Sequence, residues 1–254
     1  MASIKHIRRL LILVSFATVF LAGSFSRPAS SSAIPSKETR NSKSSQTGDS
    51  SIQIHLEQKK GEKVVGMRPE HVFEPGDVVR FRLTSGFDGY LYVIDLGSSG
   101  TYATLFPAAD TSHDNVIHRG VDSLVPSVDD GWFQIDGPAG FDVVYFLVSS
   151  TPLDVSAGKG AEGNAAPPHA PDALPSSIKP RCNDAIFQAR GECIDDSAGP
   201  APLARDLPLP PQISMVAPTV SRDIIFVADE DDNSVKATAP VTTPVVYIFR
   251  LAHH

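Results

Sequence analysis

The stretch "FEPGDVVRFRLTSGFDGYLYVIDLGSSG", Phe73 to Gly100, alternates strand-forming runs with clusters of Gly, Pro, Asp and Ser. Pro75-Gly76-Asp77 reads as a turn, because Pro presets φ at the first corner and Gly accepts the second. It launches "VVRFRL", which puts Val79, Phe81 and Leu83 on one side and Arg80 and Arg82 on the other. That period of two is the mark of a strand with one buried face. "SGFDG" turns the chain back into "YLYVIDL", apolar on both sides as a central strand is. "GSSG" turns it again into "TYATLFP".

The same grammar extends outward. Upstream, Ile52, Ile54 and Leu56 alternate with Gln53, His55 and Glu57, which predicts a strand with one wet face. Downstream, after a long loop, "WFQID" and "DVVYFLVSS" are separated by the turn "GPAG". Strands at this spacing, with Gly/Pro punctuation and no helical period, predict an all-β antiparallel sandwich, Ig-like or related, with its main part over 51–150.

The chain begins with Lys5, Arg8 and Arg9, then the 16-residue apolar run "LLILVSFATVFLAGSF". Ser31-Ser32-Ala33 fits a signal-peptidase site, so 1–33 reads as a cleaved signal peptide. The run is short against the roughly 20 residues of a bilayer crossing, the competing reading. Residues 34–50 read as a polar linker. The formal charge is −7, and removing 1–33 with its four cations and no acid takes it to −11. Such a chain is repelled by nucleic acid and anionic lipid, and no membrane span is expected after cleavage. An exported protein, periplasmic or extracellular, is the expectation.

The segment 151–222 holds 12 of the 21 prolines and reads as an extended, largely irregular insertion. Within it "NDAIFQARG" predicts one short helix, capped by Asn183 or Asp184 and followed by Gly191. Cys182 and Cys193 bracket that helix and, in an oxidising compartment, most simply form a disulfide. Two reduced thiols as a metal or redox site is the sharper alternative, without a CxxC spacing or a nearby His to support it. Over 223–254, "DIIFVAD" and "VVYIFRLAHH" read as two strands that return to complete the sheet begun at Ser51.

Each chemical motif has a plainer competitor. "GKGAEG", Gly158 to Gly163, matches a dinucleotide fingerprint but "NAAPPHAP" follows where a helix is needed, so no cofactor is expected. Asp110, His113, Asp114, Asn115 and His118 gather in a loop without zinc-ligand spacing. The tip Asp229 to Asn233 offers oxygen ligands for weak calcium, or is a solvated hairpin end. A Ser-His-Asp set drawing on His55, His71, His113 or His118 would have to assemble in space, since no G-x-S-x-G elbow is present. Tyr90, Tyr92 and Trp132 form a possible ligand face, or pack as core.

The pieces Phe73 to Leu83, Asp88 to Asp95, Ser98 to Gly100, Leu105 to Pro107 and Gly120 to Pro126, followed by "FQIDGPAGFDVVYFLVSS", occur in an order that resembles a bacterial family, domain of unknown function 4384. The resemblance covers Phe73 to Pro152 and implies an all-β module of exported proteins, or one appended to signalling and enzyme domains. It implies no catalytic residue. The expectation is a non-catalytic binding or accessory domain of the cell envelope, with another envelope or secreted protein as partner. Alternatives are a carbohydrate or peptidoglycan module and a secreted hydrolase.

Overall fold

The computed structural model describes residues 50–107, 115–127, 131–153, 179–183, 185–230 and 232–254. The signal and dinucleotide-like motif readings lie outside them, as does the linker reading except for Ser50, which begins the first strand. The strands are β1 (Ser50–Lys60), β2 (Lys63–Met67), β3 (Val72–Phe73), β4 (Val78–Ser85), β5 (Gly89–Leu96), β6 (Tyr102–Phe106), β7 (Val116–Ile117), β8 (Asp122–Val125), β9 (Phe133–Gln134) and β10 (Gly140–Ser149). Helix α1 (Ala185–Ala189), β11 (Gly199–Pro202), α2 (Pro211–Val216), β12 (Ile225–Asp229), β13 (Ser234–Ala239) and β14 (Val245–His253) follow. Among the described residues no helix is long and apolar enough to cross a membrane.

The strands form two sheets, β12-β13-β1-β4-β8 with β2 and β9 on its margins, and β11-β14-β10-β5-β6 with β3 and β7 on its margins. Long central strands carry short ones end to end along their free sides. Thus β1 pairs β13 through Ser50–His55 and β2 through Leu56–Lys60. All pairings between named strands are antiparallel except β14 with β3, where Ala252 and His253 lie parallel to Val72 and Phe73. The sandwich is therefore mixed at that one corner.

Between the sheets, Ile54, Leu56, Phe81, Leu83, Leu91, Val93, Phe146 and Phe249 fill the main core, as the alternation of β1 and β4 requires. Phe81 meets Phe146 and Phe249 edge-on at 5.3 and 5.0 Å. A second core lies on the outer side of the other sheet, where Tyr92, Ile94, Val143, Tyr145, Leu147, Val246 and Ile248 are covered by Leu203, Ile213, Val216 and Ala217. This third layer explains why "YLYVIDL" is apolar on both faces.

Four expectations need correction. The loop before Trp132 contains β7 and β8. The proline-rich segment is not simply irregular: β11 and α2 lie within it and their region covers the second core. Pro200 and Pro202 fit because β11 is an edge strand, where a missing donor costs little. The C-terminal part holds three strands, not two, and they divide: β13 pairs β1, whereas β14 sits between β10 and β11. The side of β1 expected to be wet is also largely closed, with His55 and Glu57 only 6% and 7% exposed.

Candidate functional sites

The closed side of β1 is a cross-strand charge network. Register places Glu57 opposite Arg80 and His55 opposite Arg82. Arg80 Nε and Arg82 Nε each donate to one Glu57 carboxylate oxygen at 2.7 Å. Burial pushes the Glu57 carboxyl up, the bonds from Arg82 and Arg80 pull it down more, and it ends below its ordinary value. Trp132 lies with the Arg80 guanidinium 4.2 Å from its ring centroid. The three aromatic residues of the expected ligand face are thus not brought together. Trp132 covers Arg80 beside the first sheet, Tyr92 is buried in the second core, and Tyr90 is half-buried on β5.

Another polar group closes one end of the main core. Asp95, Asp142 and His253 lie on the neighbouring strands β5, β10 and β14, each in step with the inward-facing residues of its strand. Asp142 Oδ1 accepts from the Ser98 backbone N–H at 2.6 Å and lies 3.3 Å from His253 Nε2. Asp95 Oδ1 is buried without a hydrogen-bond partner. Burial, with smaller contributions from Asp142 and Asp136, pushes the Asp95 carboxyl up to about 8. Sequence reading missed this group, because no linear motif joins residues 95, 142 and 253.

Of the loop proposed to gather metal ligands, Asp110, His113 and Asp114 lie outside the described residues. Asn115 is buried, and its carbonyl accepts from Leu91 N–H at 2.8 Å. His118 lies 3.6 Å from Asp88. At the β12–β13 tip, Asp231 lies outside the described residues, Asn233 takes φ 47°, and Asp232 Oδ2 accepts from Gln53 Nε2 at 3.1 Å. Cys182 and Cys193 are joined by a disulfide around α1, and Gly191 takes φ 79° just beyond that helix.

The sheet margins differ in how they are protected. β11 carries two prolines, β3, β7 and β9 are two residues long, and the β5–β6 ladder breaks register between Val93 and Ile94. The tip joining β1 and β2 is flanked by Lys59, Lys60, Glu62 and Lys63, and β8 is four residues with Asp122 exposed. These are the usual devices against edge-to-edge pairing. β12 has five residues, no Pro and no Lys, with one exposed charge, Asp229, at its end, and among the described residues it pairs on one side only, with β13. Its Ile225 and Val227 are 68% and 57% exposed. On the opposite face Phe226 meets Tyr247 edge-on at 5.5 Å, which anchors the strand to the core.

No curated protein matches the chain, and no solved structure matches it. The strands β3 to β10, drawn from both sheets, span 72–149, and residues 72–152 match the family described as Domain of unknown function (DUF4384).

Proposed function

We propose that this protein is an exported, non-catalytic binding domain of the cell envelope that takes an extended segment of another envelope or secreted protein along the free side of β12. The observation that carries the reading is the pair Ile225 and Val227, both exposed on an edge strand that has neither Pro nor Lys. A strand added there would receive main-chain hydrogen bonds from β12 and cover two apolar side chains, the pattern of β-augmentation. The disulfide fits an oxidising compartment.

The test is capture of partners from the envelope fraction by the wild type and by an Ile225→Lys/Val227→Lys double variant. Both side chains face solvent, so the double variant should fold with a stability change within about 0.5 kcal/mol per site. The expected result is a specific protein recovered by the wild type and lost by the variant. Equal recovery by both, or binding to purified cell-wall glycan with no protein recovered, contradicts the reading.

A further inference from the structure

The cysteine pair had no His near it in sequence, but the fold supplies one. One ring nitrogen of His254 and the sulfurs of Cys182 and Cys193 all lie within 4.8 Å of one another. Among the described residues this is the one group of three or more His, Cys, Asp or Glu whose candidate ligand atoms approach so closely.

Besides the sulfur–sulfur bond, backbone hydrogen bonds tie the main chains of these residues to β3 and to one another. Val72 N–H donates to the Cys193 carbonyl at 3.0 Å, and the next residue, Phe73, accepts from His254 N–H at 3.0 Å. Two consecutive residues of β3 thus fix both the Cys193 and the His254 main chains. Asn183 N–H donates to Ile194 O at 2.8 Å and closes the base of the cysteine loop, while Asp195 N–H donates to Glu70 O at 2.9 Å. A bridge between His71 and Ile194 lies between these contacts.

We propose that this corner is a redox-gated site for a zinc-class divalent ion, held in the reduced protein by Cys182, Cys193 and His254. Thiolate sulfur and imidazole nitrogen are the donors such an ion prefers, and three of them leave a fourth tetrahedral position open. Two sulfurs bound to one tetrahedral ion at about 2.3 Å sit about 3.8 Å apart, a separation that side-chain rotation reaches from the joined state. A dithiol reductant supplies the two electrons. Its two thiols become a disulfide as the Cys182–Cys193 bond is converted to two thiols. Those thiols release two protons to solvent when the ion binds them as thiolates. Disulfide and bound ion therefore exclude each other. This site is independent of the β12 edge.

The experiment uses Co²⁺ as the probe. The protein is reduced with a phosphine, which becomes the phosphine oxide, freed of reagent without air, and titrated alongside untreated protein. The expected result is one equivalent of Co²⁺ with a thiolate-to-cobalt charge-transfer band in the reduced protein, displaced by Zn²⁺, and no band in the oxidised protein. His254→Ala, which keeps both cysteines, should weaken binding at least about tenfold, the lower end of what loss of even an outer-shell partner costs. Circular dichroism of the same samples should retain the β spectrum. Absence of the band after reduction, equal affinity in His254→Ala, or loss of the β spectrum on reduction overturns the proposal.

Discussion

Asp95 shows at a single residue how burial sets a pH response. Its carboxyl titrates near 8 in the folded chain, whereas an unfolded Asp titrates near 4. Between those values the unfolded state sheds a proton that the folded state keeps, so this group makes stability fall as pH rises. Asp95→Asn removes that titration. The wild type should lose stability relative to the variant by about 2 kcal/mol or more between pH 4 and pH 8, measured from urea midpoints at each pH. A constant difference across that range would mean that the folded carboxyl ionises normally. Nothing in the sequence marked Asp95, which stands inside an apolar run and reads there as a strand residue. Its neighbours Asp142 and His253 become neighbours only through the β5–β10–β14 ladder.

At the scale of elements, the sequence was most informative where one face was buried and the other open. β4 followed its alternation to the residue, because Val79, Phe81 and Leu83 face the core and Arg80 and Arg82 do not. β1 obeyed the same alternation, yet its polar side is closed, because the β4 arginines lie over Glu57 and form ion pairs that composition alone does not reveal. Glu57→Ala would leave two guanidiniums facing a vacancy between these central strands, and should cost about 2 kcal/mol at neutral pH by chemical denaturation. Glu57 titrates below its ordinary value, so its contribution is present above the unfolded pKa and lost as acid is added through the folded one. A wild type and variant of equal stability at pH 7 would show that the network contributes nothing. β11 and α2 were hidden for the opposite reason: proline density argues against regular structure, but an edge strand and a helix start with Pro211 at its first turn both tolerate it. Tyr92 was left open between ligand and core, and the layer over 199–222 decides it for core.

For the whole molecule, the family match covers a part that the chain completes. Residues 72–152 supply β4, β5 and β10 but not β1 or β14, the strands that flank β4 and β10 in the two sheets. Those missing strands bring Ile52, Ile54, Leu56, Tyr247, Phe249 and Leu251 into the main core. A fragment limited to 72–152 should therefore lack a cooperative unfolding transition, while 50–254 should have one, as read by thermal circular dichroism. A cooperative fragment would place the folding unit inside the family segment. The sandwich class was legible because turn chemistry and period two agree along Phe73–Gly100. The allocation of strands to sheets was not, because β13 and β14 join partners about 100 to 190 residues away, and β12 follows β13. The free side of β12 emerges only once that allocation is known, and the binding proposal rests on it. The most direct measurement is amide hydrogen exchange across Ile225–Asp229, with and without the captured partner. Added-strand pairing predicts strong new protection of the β12 amides that point away from β13, with the β13 amides unchanged. Unaltered exchange along β12 while protection appears on another face would contradict it.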